Sequence, residues 1–180
     1  MDRRSAMKQL AILTGGAVLM PACNFSEESI LQAYQNLQIT QSDHALLSQV
    51  TNTIFPGTTL KKAEELMIPD FVLLMSNDCL NADQQNGFVK GLKGWEDFSK
   101  KTFGKAFSKM DQKEAEEAII KGMALEGEND SEAGHTRQFL NTTKRFALQG
   151  YLNSEYFMTE IKPYELVPAR FYGSKLIENA

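Results

Sequence analysis

The stretch "DQQNGFVKGLKGWEDFSKKTFG", residues 83–104, decides the fold class of this 180-residue chain. Large apolar residues recur along it every three or four positions, namely Phe88, Leu92, Trp95 and Phe98. This spacing places their side chains on one face of an α-helix, with polar residues on the other face. Asp83 is suited to begin the helix and Gly104 to end it. We therefore predict a long amphipathic helix whose apolar face must be covered by other elements.

Apolar residues at helical spacing flank this stretch on both sides, and no segment shows the alternation typical of a strand. Further helices are predicted to begin at Ser42-Asp43, at Pro69, at Asp111 and near residue 132. The first ends at Pro56-Gly57, and a proline fits the first turn of the second because no hydrogen bond is needed from its nitrogen there. The fold class is therefore all-α, a compact helical bundle formed by a domain of residues 42–180.

Three glycines, Gly87, Gly91 and Gly94, share one face of the long helix because they lie four and three positions apart. Each costs about 0.8–1 kcal/mol of helix stability relative to alanine, so a compensating close contact is expected. That contact is either with a partner subunit or with a neighbouring helix of the same chain. On the first alternative, Gly87 and Gly91, together with Trp95, are candidate partner-binding residues.

The composition changes after Gly150, where four of the five tyrosines lie. Prolines in this C-terminal segment favour an extended rather than a helical backbone. Tyrosine and arginine are enriched in binding hot spots, because one end of the side chain buries apolar area while the other keeps a hydrogen bond. The candidate partner-binding residues here are Tyr151, Tyr156, Tyr164, Arg170 and Tyr172. The same segment can instead wrap its own bundle, and the two roles are compatible on different faces.

Charge and motif content exclude several classes of function. The net charge is −4 and no basic stripe is present, which argues against nucleic acid as a partner. His44 and His135 are far apart in sequence, and only Cys79 remains once Cys23 is assigned to processing, so no metal site is predicted. No GxGxxG turn, P-loop, GxSxG elbow or CxxCH haem motif occurs, and the carboxylates lie in solvated contexts. We therefore predict no catalytic residue and no cofactor in this chain.

Residues 1–22 are predicted to be an export leader. The apolar run Leu10–Met20 is long enough for a signal-peptide core and shorter than the ~20 residues that span a bilayer as a helix. Upstream of it, Arg3 and Arg4 precede an apolar residue and a lysine, which resembles the twin-arginine signal. Because that route carries folded cargo, the leader predicts that the protein crosses the membrane already folded.

The leader ends in Leu19-Met20-Pro21-Ala22-Cys23, which resembles a bacterial lipobox. Acylation of Cys23 would hold the protein on a membrane, because each buried methylene contributes about 0.8 kcal/mol. The alternative is ordinary cleavage near Ala22 without a lipid. We predict a membrane-anchored lipoprotein of the periplasm, in which residues 23–41 form a polar tether and the start of the first helix.

Five segments of the mature chain resemble the gluconate 2-dehydrogenase subunit 3 family, in their order along the sequence. They read "LLSQVTNTIFPGTT", "AEELMIPDFVLLMSNDCL", "GFVKGLKGWEDFSKKTFGKAFSKMDQKE", "FLNTTKRFALQGYLNSEYF" and "YELVPARFYG". Together they cover roughly residues 42–173. The motifs TIFPGTT, FGKAF and GYLNSE are weak singly and moderately specific as a set.

This resemblance implies a small accessory subunit of a periplasmic, membrane-bound sugar or alcohol dehydrogenase. The large subunit is expected to be a flavoprotein of the glucose-methanol-choline (GMC) type that carries FAD, with a cytochrome c subunit as an optional third member. This chain would bind no flavin and would not be an enzyme. Its leader would carry the preassembled pair across the membrane. The alternatives are a free-standing periplasmic lipoprotein that binds a ligand or an envelope protein, and an enzyme in its own right.

Overall fold

A computed structural model describes residues 31–162, 164 and 173–174 of the chain. Within these residues the chain forms five α-helices, which are α1 (Gln41–Ile54), α2 (Ile68–Cys79), α3 (Ala82–Phe103), α4 (Gln112–Met123) and α5 (Glu132–Leu152). Three short 3-10 turns and a π-helix accompany them, at Gln32–Tyr34, Glu64–Leu66, Phe107–Lys109 and Phe157–Ile161. The described part of the chain contains no strand, and the predicted all-α helical bundle is confirmed.

Side-chain caps determine where the helices begin. Helix α1 begins after Thr40, whose hydroxyl accepts from the backbone N–H of Asp43 while the Asp43 carboxylate accepts from the backbone N–H of Thr40. Asn81 begins a capping box of the same kind at α3. The predicted starts, Ser42-Asp43 and Asp83, therefore lie inside the first turn rather than before it. Acidic residues are favoured both as caps and in the first turn, so composition alone does not separate the two positions.

Helix α2 begins abruptly, with Pro69 in its first turn as predicted. The residue that precedes the helix, Met67, has a left-handed backbone with φ 51° and ψ 33°, although it is not glycine. This conformation separates α2 from the short turn Glu64–Leu66, because a left-handed residue cannot continue a right-handed helix.

The core is organised by the pairing of α3 with α5, which share the most extensive contact among the described helices. Gly91 allows this approach, since a Cβ there would lie 2.2 Å from the backbone oxygen of His135. Three rings surround the fully buried Trp95, with centroids 5.5, 5.3 and 6.5 Å from the indole: Phe98, Phe107 and Phe139. The apolar stripe of residues 83–104 therefore faces α5 and the turn that follows α3.

The segment before α1 packs on the bundle. Leu37 and Ile39 are buried, and the backbone N–H of Leu31 donates to the carbonyl of Ile39 at 2.9 Å. The described end of the predicted tether, from Leu31 onward, is therefore part of the folded domain rather than a free linker.

Helical structure extends further into the C-terminal segment than its prolines predict. Helix α5 continues to Leu152, and the π-helix Phe157–Ile161 follows after a short turn. The backbone N–H of Tyr164 donates to the carbonyl of Met158 at 2.9 Å, which folds the chain back on that helix. The remaining part of the segment, including Pro163 and residues 165–172, lies outside the described residues, and the extended conformation predicted for it stays a prediction.

Candidate functional site

The candidate residues Gly87, Gly91 and Trp95 lie inside the bundle, where α3 meets α5. A Cβ on Gly87 would lie 2.1 Å from Oε1 of Gln138, and one on Gly91 would lie 2.2 Å from the backbone oxygen of His135. The structure thus supplies the internal contact that was one of two explanations for Gly87 and Gly91. The expectation of a close contact is wrong for Gly94 among the described residues, because a Cβ there would meet no atom within 4 Å. Trp95 has no exposed surface. A direct partner contact by these three residues stays a prediction, and the accessible surface lies elsewhere.

Tyr151 joins the end of α5 to the end of α1. Its ring stacks on Phe55 with centroids 4.3 Å apart, and it meets Phe157 edge-on at 6.3 Å. The Tyr151 hydroxyl donates to the backbone oxygen of Lys61 at 2.7 Å, and burial raises the pKa of this phenol. Because the phenol keeps its proton, it is a constant donor that holds the loop between Phe55 and Lys61 in place.

Tyr156 and Tyr164 lie nearer the surface at the same end of the bundle. The Nζ of Lys61 lies 4.4 Å from the centre of the Tyr156 ring and 3.3 Å from the carboxylate of Glu160. Tyr164 is 58% exposed. The structure therefore brings three of the five predicted C-terminal residues to one region. The other two lie outside the residues that it describes, namely Arg170 and Tyr172.

Three surface grooves meet at Pro56, just after α1. One of about 340 Å³ runs toward the start of α4, and one of about 100 Å³ follows the loop toward Tyr151. The third, of about 290 Å³, lies between α1 and α4 and is lined mainly by apolar atoms. We call it the α1–α4 groove, and its lining residues are Thr53, Ile54, Pro56, Glu116, Ile119, Ile120, Met123 and Lys144.

Exposed apolar side chains lie beside the α1–α4 groove. Ile120 is 62% exposed, and Leu148 and Leu152 on α5 are 45% and 40% exposed. Lys144, which lines the groove, precedes these two leucines at four-residue intervals, so all three lie on one face of α5. Sequence reasoning missed this surface. The available signal was the pair Ile119-Ile120, because two adjacent residues of a surface helix cannot both face the core.

A tyrosine, an aspartate and a histidine meet at the opposite end of α1. The Tyr34 hydroxyl donates to Oδ1 of Asp70 at 3.0 Å, and Nε2 of His44 lies 3.1 Å from the same oxygen. Burial, reinforced by the Asp70 carboxylate, raises the pKa of Tyr34 to about 12. A phenol that holds its proton this tightly is a poor base or nucleophile. The cluster therefore ties the segment before α1 to the start of α2.

A further groove, of about 640 Å³, lies between the first turns of α3 and α5 and is polar. Three of its ionisable lining residues have partners within the chain, namely Arg137, His135 and Asp130. Arg137 donates to the carbonyls of Leu125 and Gly127, and Nε2 of His135 lies 3.3 Å from Asp130. Among the described residues, no group of three or more His, Cys, Asp or Glu side chains could hold a metal ion.

The export and lipidation residues Arg3, Arg4 and Cys23 lie outside the described residues, and their roles stay predictions. No helix in the described part of the chain has the length and apolar character to cross a bilayer. Cys79, at the end of α2, is exposed and forms no disulfide.

The fold defines a small all-α domain, and several of its exposed apolar side chains lie beside the loop that follows α1. Residues 41–169 match the family gluconate 2-dehydrogenase subunit 3, and the chain belongs to this family, as its motifs indicate. The family is an accessory subunit of gluconate 2-dehydrogenase. No curated protein and no solved structure matches the chain.

Proposed function

We propose that this chain is the noncatalytic accessory subunit of a flavin-dependent sugar or alcohol dehydrogenase of the GMC type. It binds and stabilises the large subunit, accompanies it through the twin-arginine route and holds it at the membrane. The observation that carries the proposal is the family match over residues 41–169. The exposed apolar side chains beside the α1–α4 groove support it, because clustered apolar surface is typical of sites that bind other proteins.

The redox groups are assigned to other polypeptides. FAD is expected in the large subunit and haem in a cytochrome c subunit where the complex has one, because this sequence contains neither a GxGxxG turn nor a CxxCH motif. The present chain then contributes contacts and transport, and its tyrosines act as apolar surface and hydrogen-bond donors.

Export of the pair is tested by coexpressing this chain with the flavoprotein subunit of the same organism. The double variant Arg3→Lys, Arg4→Lys is compared with wild type and with Lys8→Arg, which keeps both the arginine pair and the charge. We expect periplasmic flavoprotein to fall to background only in the double variant. Undiminished arrival of the flavoprotein in that variant would overturn the escort role.

Anchoring is tested at Cys23. Because the folded domain begins by Leu31, an extended connection of at most about 3.6 Å per residue would keep the domain within about 29 Å of the lipid. We expect Cys23→Ser to move the complex from the membrane to the soluble periplasmic fraction with its flavin retained. Persistence of the variant complex in the membrane fraction would exclude Cys23 as the anchor.

The alternative function is a free-standing periplasmic lipoprotein that binds a ligand or an envelope protein. Purification in mild detergent separates the two: an accessory subunit brings down a yellow complex that contains FAD, whereas a free-standing lipoprotein is a colourless monomer. Dye-linked oxidation of sugars or alcohols by the purified chain alone would favour instead an enzyme in its own right.

A further inference from the structure

We infer that the α1–α4 groove receives an apolar side chain of the dehydrogenase large subunit, with a carboxylate of the same subunit beside it at Lys144. The inference rests on the proposed function and names the contact through which this chain binds the large subunit. Three observations lead to it: the apolar lining and exposure of the groove, the charge at its edge, and the rigidity of the loop that forms one wall.

The groove presents apolar area that the bundle itself does not cover. Ile119 is 5% exposed and faces the core, while the next residue, Ile120, is 62% exposed and lines the groove. Ile54 and Pro56 form the opposite wall, at the end of α1. An apolar side chain that enters this space removes area from water on both walls, which is the property of a binding hot spot.

The charge at the groove favours an acidic neighbour for that side chain. The Lys144 side chain forms no ion pair or hydrogen bond with the described residues, whereas Nζ of Lys121, a residue of α4 that does not line the groove, lies 2.7 Å from the Glu117 carboxylate. The other charged lining residue, Glu116, accepts from the side chain of Gln112 at 2.7 Å and keeps its negative charge, so the incoming carboxylate is assigned to Lys144. An unpaired lysine beside apolar surface is complementary to a carboxylate on the incoming chain.

The loop at the end of α1 is held before any partner arrives. The ring of Phe55, next to Pro56, stacks on Tyr151, and the Tyr151 hydroxyl holds the backbone of Lys61 at the far end of the loop. Because both ends are fixed, docking costs little conformational entropy in this wall of the groove. The apolar face of α5 that carries Leu148 and Leu152 continues the surface beyond Lys144.

The test measures the ratio of FAD to this chain after purification of the coexpressed complex in mild detergent. Ile120→Glu and Lys144→Glu are compared with Leu74→Glu, a matched control on α2 that is 48% exposed and outside the groove. Because both Ile120 and Lys144 are at the surface of folded helices, the variants keep the fold, which circular dichroism checks. We expect retention of flavoprotein to fall at least about tenfold for the two groove variants, and to stay near wild type for Leu74→Glu and Lys144→Arg.

A second measurement identifies the occupant. A photo-crosslinking residue at position 120 is expected to attach to the large subunit. Its attachment to this chain's own C-terminal residues or to a second copy, or the lack of a bond to the large subunit, would overturn the inference. Equal retention of flavoprotein by Ile120→Glu and Leu74→Glu would also overturn it while leaving the proposed function intact. If the wild type brings down no flavoprotein, it is the proposed function that fails.

Discussion

Tyr151 and Phe55 stack with their ring centroids 4.3 Å apart and their planes within 9° of parallel. The pair joins the last turn of α5 to the residue that follows α1, and the Tyr151 hydroxyl also donates to the backbone oxygen of Lys61. One side chain therefore sets the position of the Phe55–Lys61 loop by two separate contacts. The two contacts can be removed one at a time.

Tyr151→Phe keeps the stack and removes the hydrogen bond, so the Lys61 carbonyl loses its partner. We expect the free energy of unfolding to fall by about 1–2 kcal/mol. Tyr151→Ala removes the ring as well and is expected to cost about 3–5 kcal/mol. Urea unfolding of the mature chain measures both. Tyr156→Phe is the control, expected within about 0.5 kcal/mol of wild type, and an equal loss in the two phenylalanine variants would contradict the assignment.

Gly91 and Gly94 lie on the same helix and are predicted to respond to alanine with opposite signs. A Cβ on Gly91 would lie 2.2 Å from a backbone oxygen of α5, which cannot rotate away, so α3 and α5 must separate. We expect Gly91→Ala to lower the free energy of unfolding by about 2 kcal/mol or more. A Cβ on Gly94 would meet no atom within 4 Å, and Gly94→Ala is expected to add about 0.8–1 kcal/mol through helix propensity.

The melting temperatures of the two alanine variants, read by the fluorescence of the buried Trp95, check this prediction. Destabilisation by Gly94→Ala would mean that its face is packed against something that the described residues do not include. An unchanged melting temperature for Gly91→Ala would mean that α3 and α5 can separate at little cost in free energy.

Glu96 and Asp97 are adjacent acids on α3 with different environments. The Glu96 carboxylate accepts from the backbone N–H groups of Phe107 and Ser108 at 3.0 and 3.2 Å, while Asp97 is 70% exposed and pairs with Lys100 at the surface. Hydrogen bonds to a charged group contribute about 1.5–3 kcal/mol, so Glu96→Ala is expected to cost that much. Asp97→Ala is expected within about 0.5 kcal/mol of wild type. Similar urea midpoints for the two variants would show that the hydrogen bonds of Glu96 to the backbone of Phe107 and Ser108 do not stabilise the fold.

These residues also indicate where sequence reasoning succeeds and where it stops. The bundle was predictable because apolar spacing reports which face of a helix is buried, as it did for Phe88, Leu92 and Trp95. Apolar spacing does not show which helix packs against that face, because the packing depends on how each helix is rotated against the others. From the sequence, Gly91 could contact either a partner subunit or a neighbouring helix, and in the structure it lies against the backbone of α5.

The candidate site was predictable only in part, for the same reason. Composition pointed to Tyr151 and Tyr156, but their contacts reach Phe55 and Lys61, which are distant in sequence. The α1–α4 groove depends on Ile120 facing outward while Ile119 faces inward, and the sequence pair alone does not say which of the two is buried.

Tyr34 makes the stability of the domain depend on pH in the alkaline range. Its pKa is raised from 10.0 to about 12, chiefly by burial and also by the Asp70 carboxylate that accepts its hydrogen bond. The folded state thus holds this proton more tightly than the unfolded state does. The corresponding stabilisation is fully present below pH 10 and is lost as the pH rises from about 10 to about 12.

We compare wild type with Tyr34→Phe by urea unfolding at about pH 9 and about pH 11.5, since each pKa unit corresponds to about 1.4 kcal/mol. The wild type is expected to lose about 2 kcal/mol more than the variant between these two conditions. The other ionisable groups are the same in both proteins, so their contributions cancel in the difference. If the difference in unfolding free energy between wild type and Tyr34→Phe were the same at both pH values, the Tyr34 phenol would titrate normally. The hydrogen bond to Asp70 would then not hold the segment before α1 on α2.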